Sequence, residues 1–112
     1  MSLDDWIGRI RSSDPMTFEN AYFGARPVGP DVVPRIVAEL QNSTDSYTRG
    51  KFCELLGEMG DLAVLPILVR ELEHQDETVR TWAANAIEEL QSPALQSSKQ
   101  QHLIQFKVSN VK

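Results

Sequence analysis

Apolar residues along the chain recur with a helical spacing in two long segments. In the later segment they stand at i, i+4, i+7, i+8 and i+11, which is the apolar stripe of an amphipathic helix. These residues are Val79, Ala83, Ala86, Ile87 and Leu90. The same stripe occurs earlier in the chain, where Thr48 corresponds to Val79 and Met59 to Leu90. The pattern therefore predicts two long helices at equivalent positions of an internal repeat.

The residues before each long helix repeat as well. Residues 29–40 recur 32 positions later, so that Pro34 corresponds to Pro66. Proline is favoured in the first turn of a helix, where its missing N–H is not needed. Asp45 and Asp76 precede the long helices, and aspartate is a preferred N-cap residue. Each unit is thus predicted to contain a short helix, a turn and a longer helix.

A third, degenerate unit is predicted at the beginning of the chain. One further step of the repeat back from Asp45 reaches Asp14, which is followed by Pro15 at the first turn of a helix. Its first helix is predicted at Leu3–Ile10. The repeat domain is accordingly placed at 1–90, with units at about 1–28, 29–59 and 60–90. Residues 91–112 form a polar and basic tail or cap, for which we expect a short helix followed by an irregular or extended segment.

These repeats resemble a known family. Residues 56–61 read Leu-Gly-Glu-Met-Gly-Asp, and with the alanines, Pro66 and Arg80 that follow they look like the HEAT-like repeat of the short bacterial type found in phycobilisome lyases. The resemblance is strong over 29–90 and weak over 3–26, where Phe18 replaces the usual arginine. It implies an all-α fold, a right-handed α-α superhelix or short α-solenoid of about three helix pairs plus the C-terminal tail. It implies no particular chemistry.

Composition narrows the classes of function. The 112 residues suffice for one domain, and no apolar run approaches the roughly 20 residues of a membrane span. The net charge of −5 repels polyphosphates and anionic lipids, so we expect neither nucleic acid nor membrane as a partner. The single cysteine and the absence of a signal-like apolar stretch at the N-terminus favour a cytoplasmic location. Cys53 is expected in the core.

Stacked units would align the outward residues of their second helices into rows. In such a stack, six of these residues form the predicted partner-binding surface on the concave face. They are Lys51, Glu54, Glu58, Trp82, Asn85 and Glu89. Tryptophan on a polar helix face is typical of an interface anchor. The alternative is that Trp82 packs against a neighbouring helix or the tail of its own chain.

Two acid–base pairs occupy equivalent positions of successive units. Asp45 and Arg49 are four residues apart, as are Asp76 and Arg80. This spacing allows each pair to interact on one helix face, so we expect a structural ladder of alternating charge. The alternative is that the arginines bind an acidic partner.

The charge distribution and the missing motifs favour binding over catalysis. Between Glu54 and Glu89 there are nine acids and two bases, whereas 91–112 contains three lysines and no acid. An acidic concave face would select a basic partner. The two histidines lie outside any metal-binding motif, and Cys-x-x-Cys and phosphate-loop motifs are absent from the sequence. We therefore expect neither a metal nor a cofactor.

The sequence thus predicts a non-catalytic module or scaffold that binds a partner protein and is not an enzyme. Two alternatives stay open. One is a bilin lyase subunit or relative, which the family resemblance brings in, and the other is a bacterial immunity or inhibitor protein for a basic partner. An uncovered terminal repeat would also allow a homodimer through that repeat or the tail.

Overall fold

The computed structural model describes residues 2–92, and every regular element within them is helical. The all-α prediction is therefore confirmed over this range, as expected of a short α-solenoid. A 3₁₀ turn at Leu62–Val64 leads into α5. The six α-helices of the described range are α1 (Leu3–Ile10), α2 (Pro15–Phe23), α3 (Val32–Asn42), α4 (Ser46–Met59), α5 (Leu65–Glu71) and α6 (Glu77–Leu90).

Aspartate side chains begin three of these helices. Asp14 caps α2, Asp45 caps α4 and Asp76 caps α6, each accepting a hydrogen bond at 2.8 to 2.9 Å from the backbone amide of a threonine two or three residues later. Such caps satisfy amides that have no partner within the helix. The predicted caps at Asp45 and Asp76 are confirmed. Gly60 ends α4 in the left-handed conformation, with φ at 72°.

By their internal contacts, residues up to Arg35 form one compact unit and residues from Ile36 form another. In the first unit α1 packs on α2. Trp6, Ile7 and Ile10 of α1 are buried, and the Trp6 indole N–H donates to the carbonyl of Ala21 at 3.0 Å. The helix predicted at Leu3–Ile10 is therefore present, and its buried residues contribute to the core of this unit.

In the second unit the two long helices, α4 and α6, pack along each other, and α5 packs on α6. The close approach depends on Gly57 of α4, where a Cβ atom would lie 2.8 Å from the Cα atom of Ala86. Cys53 is fully buried on the same helix, and burial raises the pKa of its thiol to about 12. Its predicted place in the core is confirmed.

The boundary between the compact units falls inside α3, whereas the sequence predicts a repeat boundary near residues 28 and 29. Repeats follow sequence equivalence and compact units follow contacts, so the division into three repeat units stays a prediction. The conformation predicted for the tail, 91–112, lies outside the described residues beyond Ser92. Within the described part of the chain, no helix has the length and apolar character needed to cross a membrane.

Candidate functional site

A groove of about 460 Å³ lies between α4 and α6. Helical spacing creates its two walls, because residues three, four and seven positions apart share one face of a helix. Glu54 and Glu58 line it from α4. The α6 residues that line it are Trp82, Asn85, Ala86 and Glu89. We call this feature, defined by these six residues, the acidic groove.

The acidic groove contains five of the six residues that the sequence predicts to bind a partner. The sixth, Lys51, lies beside it, with its Nζ atom 4.7 Å from the ring centroid of Trp82. Ala86 was missed as a lining residue because its place in the apolar stripe of α6 assigned it to the core, where it is in fact buried. The structure brings the predicted residues together, and their role in binding stays a prediction.

Trp82 combines the two alternatives left open by the sequence. Its ring packs on α4 at Gly50, where an added Cβ would lie 3.0 Å from the indole, and the same side chain lines the acidic groove. Tyr47 meets Trp82 edge to face, with ring centroids 6.1 Å apart, and Lys51 Nζ lies 5.0 Å from the Tyr47 centroid. Cation–π and aromatic contacts thus fix the indole on one side.

Tyr47 is a residue that sequence reasoning did not single out. It is 57% exposed and extends the aromatic surface along α4. The available signal was its spacing, since Tyr47 stands four residues before Lys51 and therefore shares its helix face.

Three carboxylates give the acidic groove its electrostatic character. Glu54 and Glu58 stand one turn apart on α4, and Glu89 faces the groove from α6. Asn85 adds an amide that can both donate and accept hydrogen bonds. A concave surface with several like charges raises the local concentration of oppositely charged groups. This arrangement suits a cationic side chain together with an aliphatic or aromatic contact on Trp82.

The structure corrects the predicted charge ladder. The carboxylates of Asp45 and Asp76 are engaged as helix caps, which turns them toward backbone amides rather than toward the arginines four residues later. For Asp45 the Thr48 amide and then its hydroxyl lower the pKa of the carboxyl. For Asp76 the hydroxyl of Ser46, which donates at 2.5 Å, is the main cause of its lowered pKa.

Arg49 instead forms a bidentate ion pair with Glu71 of α5. Its Nε and Nη2 atoms donate to the two carboxylate oxygens at 2.6 and 2.8 Å, and Nη1 donates to the carbonyl of Ser43 at 3.0 Å. The two side chains are 17% and 6% exposed. The hydrogen bonds to Glu71 raise the pKa of Arg49, so its guanidinium stays charged.

Arg80 has partners of a different kind. Its Nη1 atom donates to the carbonyls of His74 and Gln75 at 2.8 and 3.0 Å, in the loop between α5 and α6.

A second, polar cavity of about 520 Å³ lies at the N-terminal end of the two long helices, and sequence reasoning did not predict it. Among the described residues no group of three or more His, Cys, Asp or Glu side chains is arranged to hold a metal ion.

The family model for HEAT repeats matches residues 33–103, which is more than half of the chain. No curated protein and no solved structure matches this chain. HEAT repeats generally mediate protein–protein interactions, through surfaces formed by stacked helices. The match does not identify the short bacterial subtype. It covers both long helices and α5, and the chain therefore belongs to the HEAT repeat family.

Proposed function

We propose that this chain is a non-catalytic protein-binding module whose acidic groove takes a basic segment of a partner protein. The observation that carries the proposal is the convergence of three carboxylates and one tryptophan on a single groove between α4 and α6. The family adds general support, because HEAT repeats commonly act in protein recognition.

Charge supports a basic partner. The groove carboxylates belong to a chain with a net charge of −5, so the local and the overall field have the same sign. Complementary charge increases the rate of encounter and rejects acidic competitors. Lys51 does not reverse this field, because its one positive charge is outweighed by the three carboxylates of the groove.

Trp82 supports a protein partner rather than a free ion. Its indole packs against Gly50 and contacts the side chains of Tyr47 and Lys51 before any partner binds. A prearranged aromatic side chain loses little conformational entropy on binding, so more of its contact energy is available for affinity. The expected contact on a partner is the alkyl stem of a lysine or arginine, or a guanidinium stacked on the ring.

An inhibitor of a basic protein, such as an immunity protein, is a narrower form of this proposal. The same observation favours it, since an acidic groove can cover a cationic active surface. Inhibition of the captured partner's activity by the purified chain, lost with the groove carboxylates, would distinguish an inhibitor from a scaffold.

The test compares two variants with equal changes of net charge. Glu58→Lys with Glu89→Lys reverses two carboxylates of the acidic groove. The matched control, Glu19→Lys with Glu73→Lys, reverses two exposed carboxylates that do not line it. Each tagged chain is used to capture proteins from a lysate of the source cells at low and at high salt, and each captured protein is quantified by mass spectrometry.

The proposal predicts at least one basic protein that the wild type and the control variant retain at low salt and the groove variant loses. High salt reduces its capture, because screening weakens charge pairing at the rim. The purified partner then binds the wild type in a calorimetric titration, and Trp82→Ala with Glu89→Lys weakens that binding. Equal capture by all variants would contradict the acidic groove as the binding site.

A further inference from the structure

A second surface of the chain surrounds Arg80, on the helix pair formed by α5 and α6. Arg80 is the repeat equivalent of Arg49, and the two guanidiniums are anchored alike. The Nη1 atom of Arg49 donates to Ser43 at 3.0 Å, and that of Arg80 donates to His74 at 2.8 Å. Both acceptors are backbone carbonyls, and Ser43 and His74 are themselves repeat equivalents. The backbone therefore holds both arginines in the same way.

The opposite edge of the guanidinium distinguishes the two sites. In Arg49, Nε and Nη2 bind both oxygens of Glu71, which is supplied by α5, the first helix of the next pair. Among the described residues, no carboxylate takes this position at Arg80. Residues 91–112 contain no aspartate or glutamate, so that segment has no acidic side chain to place there. The Arg49 site, with Glu71 bound, therefore shows how a carboxylate could bind at Arg80.

Apolar exposure points to the same surface. Leu40 is fully buried, whereas its repeat equivalent at the end of α5, Leu72, is 37% exposed. Val69, one turn before Leu72, is 48% exposed. Cys53 is fully buried, whereas its equivalent, Ala84, is exposed. We call the surface formed by Arg80, Val69, Leu72 and Ala84 the terminal surface.

The shape of α6 restricts what can cover the terminal surface. α6 packs closely on α4 because α4 has glycines at positions 50 and 57, which contact Trp82 and Ala86. The equivalent residues of α6 are Thr81 and Glu88, and both are exposed. Their side chains prevent another long helix from packing on α6 as closely as α6 packs on α4. A single helix beside α5, in contrast, meets Arg80 without crossing these positions.

We propose that the terminal surface docks one amphipathic helix of another protein, which places a glutamate on Nε and Nη2 of Arg80 and apolar residues on Val69 and Leu72. The occupant reproduces the part that α5 plays toward Arg49. Bidentate pairing with a carboxylate is specific in geometry, so an aspartate or glutamine at the same place binds less well. This interaction is independent of the acidic groove and selects a partner helix with the opposite charge preference.

The test uses the segment of this chain that already performs this role. A fluorescent, end-capped peptide of residues 61–74 carries the sequence of α5 with Glu71, and the matched peptide carries Glu71→Gln. Anisotropy titrations measure the binding of each peptide to the full chain. The protein variants are Arg80→Gln and, as a control with equal charge change, Arg9→Gln, which alters an exposed arginine of α1 in the other compact unit.

We expect the wild type and the Arg9→Gln variant to bind the Glu71 peptide roughly tenfold more tightly than the Glu71→Gln peptide. Glutamine is uncharged and can accept only one of the two hydrogen bonds that the carboxylate accepts. Arg80→Gln abolishes this difference. The comparison of the two peptides on the wild type remains decisive if Arg80→Gln fails to fold. Equal affinities of the peptides, no binding of either, or an unchanged preference in Arg80→Gln would overturn the proposal.

Discussion

Gly57→Ala tests the contact between α4 and α6 that forms the acidic groove. A Cβ atom built at Gly57 lies 2.8 Å from the Cα and carbonyl oxygen of Ala86 and 2.9 Å from its Cβ, whereas ordinary van der Waals contacts begin at 3.4 Å. Two of these three neighbours are backbone atoms, which cannot rotate away as the end of a side chain can. The two helices must therefore move apart at the point where Ala86 also lines the groove.

Two opposing effects determine the size of the change. Alanine is favoured over glycine inside a helix by about 0.5–1 kcal/mol. Inserting a methyl group into a well-packed contact costs about 1–3 kcal/mol. The steric cost is larger, so Gly57→Ala should lower the free energy of unfolding by about 1–2 kcal/mol.

Gly8 provides the matched control. It is an exposed position of α1, where an added Cβ has no neighbour within 4 Å. Gly8→Ala should therefore show the helix preference alone and raise stability by about 0.5–1 kcal/mol. Urea unfolding followed by far-ultraviolet circular dichroism measures both variants in the same assay, with a lower midpoint for Gly57→Ala and a higher one for Gly8→Ala.

The result that refutes the reasoning is a Gly57→Ala variant at least as stable as the wild type. Such a result would mean that α4 and α6 are not held at the distance described. The described shape of the acidic groove would then be wrong as well. A loss of stability in Gly8→Ala as well would show that the effect belongs to helical alanine rather than to the contact with Ala86.

Three further predictions concern the buried ion pair, a helix cap and the cysteine. Arg49→Met should lower the free energy of unfolding, measured in urea, by about 3 kcal/mol, since it leaves the carboxylate of Glu71 buried without its cation. Arg49→Met with Glu71→Leu should lower it less. A larger loss of stability in the double variant would contradict the pairing. The lowered pKa of Asp45 means that its stabilising contribution is complete above its ordinary value of 3.8 and is lost as the pH falls through the lower value of the folded state. Asp45→Asn should therefore make stability less dependent on pH below about 4, measured by acid unfolding, and an unchanged acid profile would count against the cap. The Cys53 thiol, buried and with its pKa raised to about 12, should resist Ellman's reagent in the native chain and react in urea, whereas rapid native reaction would contradict its burial.

Periodicity predicted the groove residues because a repeat converts distance along the chain into position in space. Repeat equivalents such as Glu58 and Glu89 occupy equivalent turns of successive second helices, so packing of α4 on α6 brings them to one groove. This inference needed only the repeat equivalence of the positions and no knowledge of their side-chain contacts. The helix caps were predicted for a similar reason, since an aspartate before an apolar stripe has few competing roles.

The ion pairs could not be predicted in the same way. Asp45 and Asp76 satisfy the spacing rule for pairing with the arginines, but each carboxylate has an alternative partner in the backbone amides of its own helix start. The partner that Arg49 takes, Glu71, lies 22 residues away on a different helix. The repeat makes Glu71 equivalent to Glu39, whereas Glu73 corresponds to Gln41, but it does not show which arginine Glu71 meets. The packing of α5 determines the pair, and the sequence does not contain that packing explicitly.

The central claim, that the acidic groove binds a protein, is tested most directly by site-specific photo-cross-linking in the source cells. A benzophenone amino acid replaces Asn85 in the groove or, as a control, the exposed residue Gln41 on α3. We expect a covalent adduct with one basic protein from position 85, absent from position 41 and lost when Glu58 and Glu89 are both changed to lysine. Equal adducts from both positions, or an adduct from position 85 that survives the charge reversal, would contradict this claim.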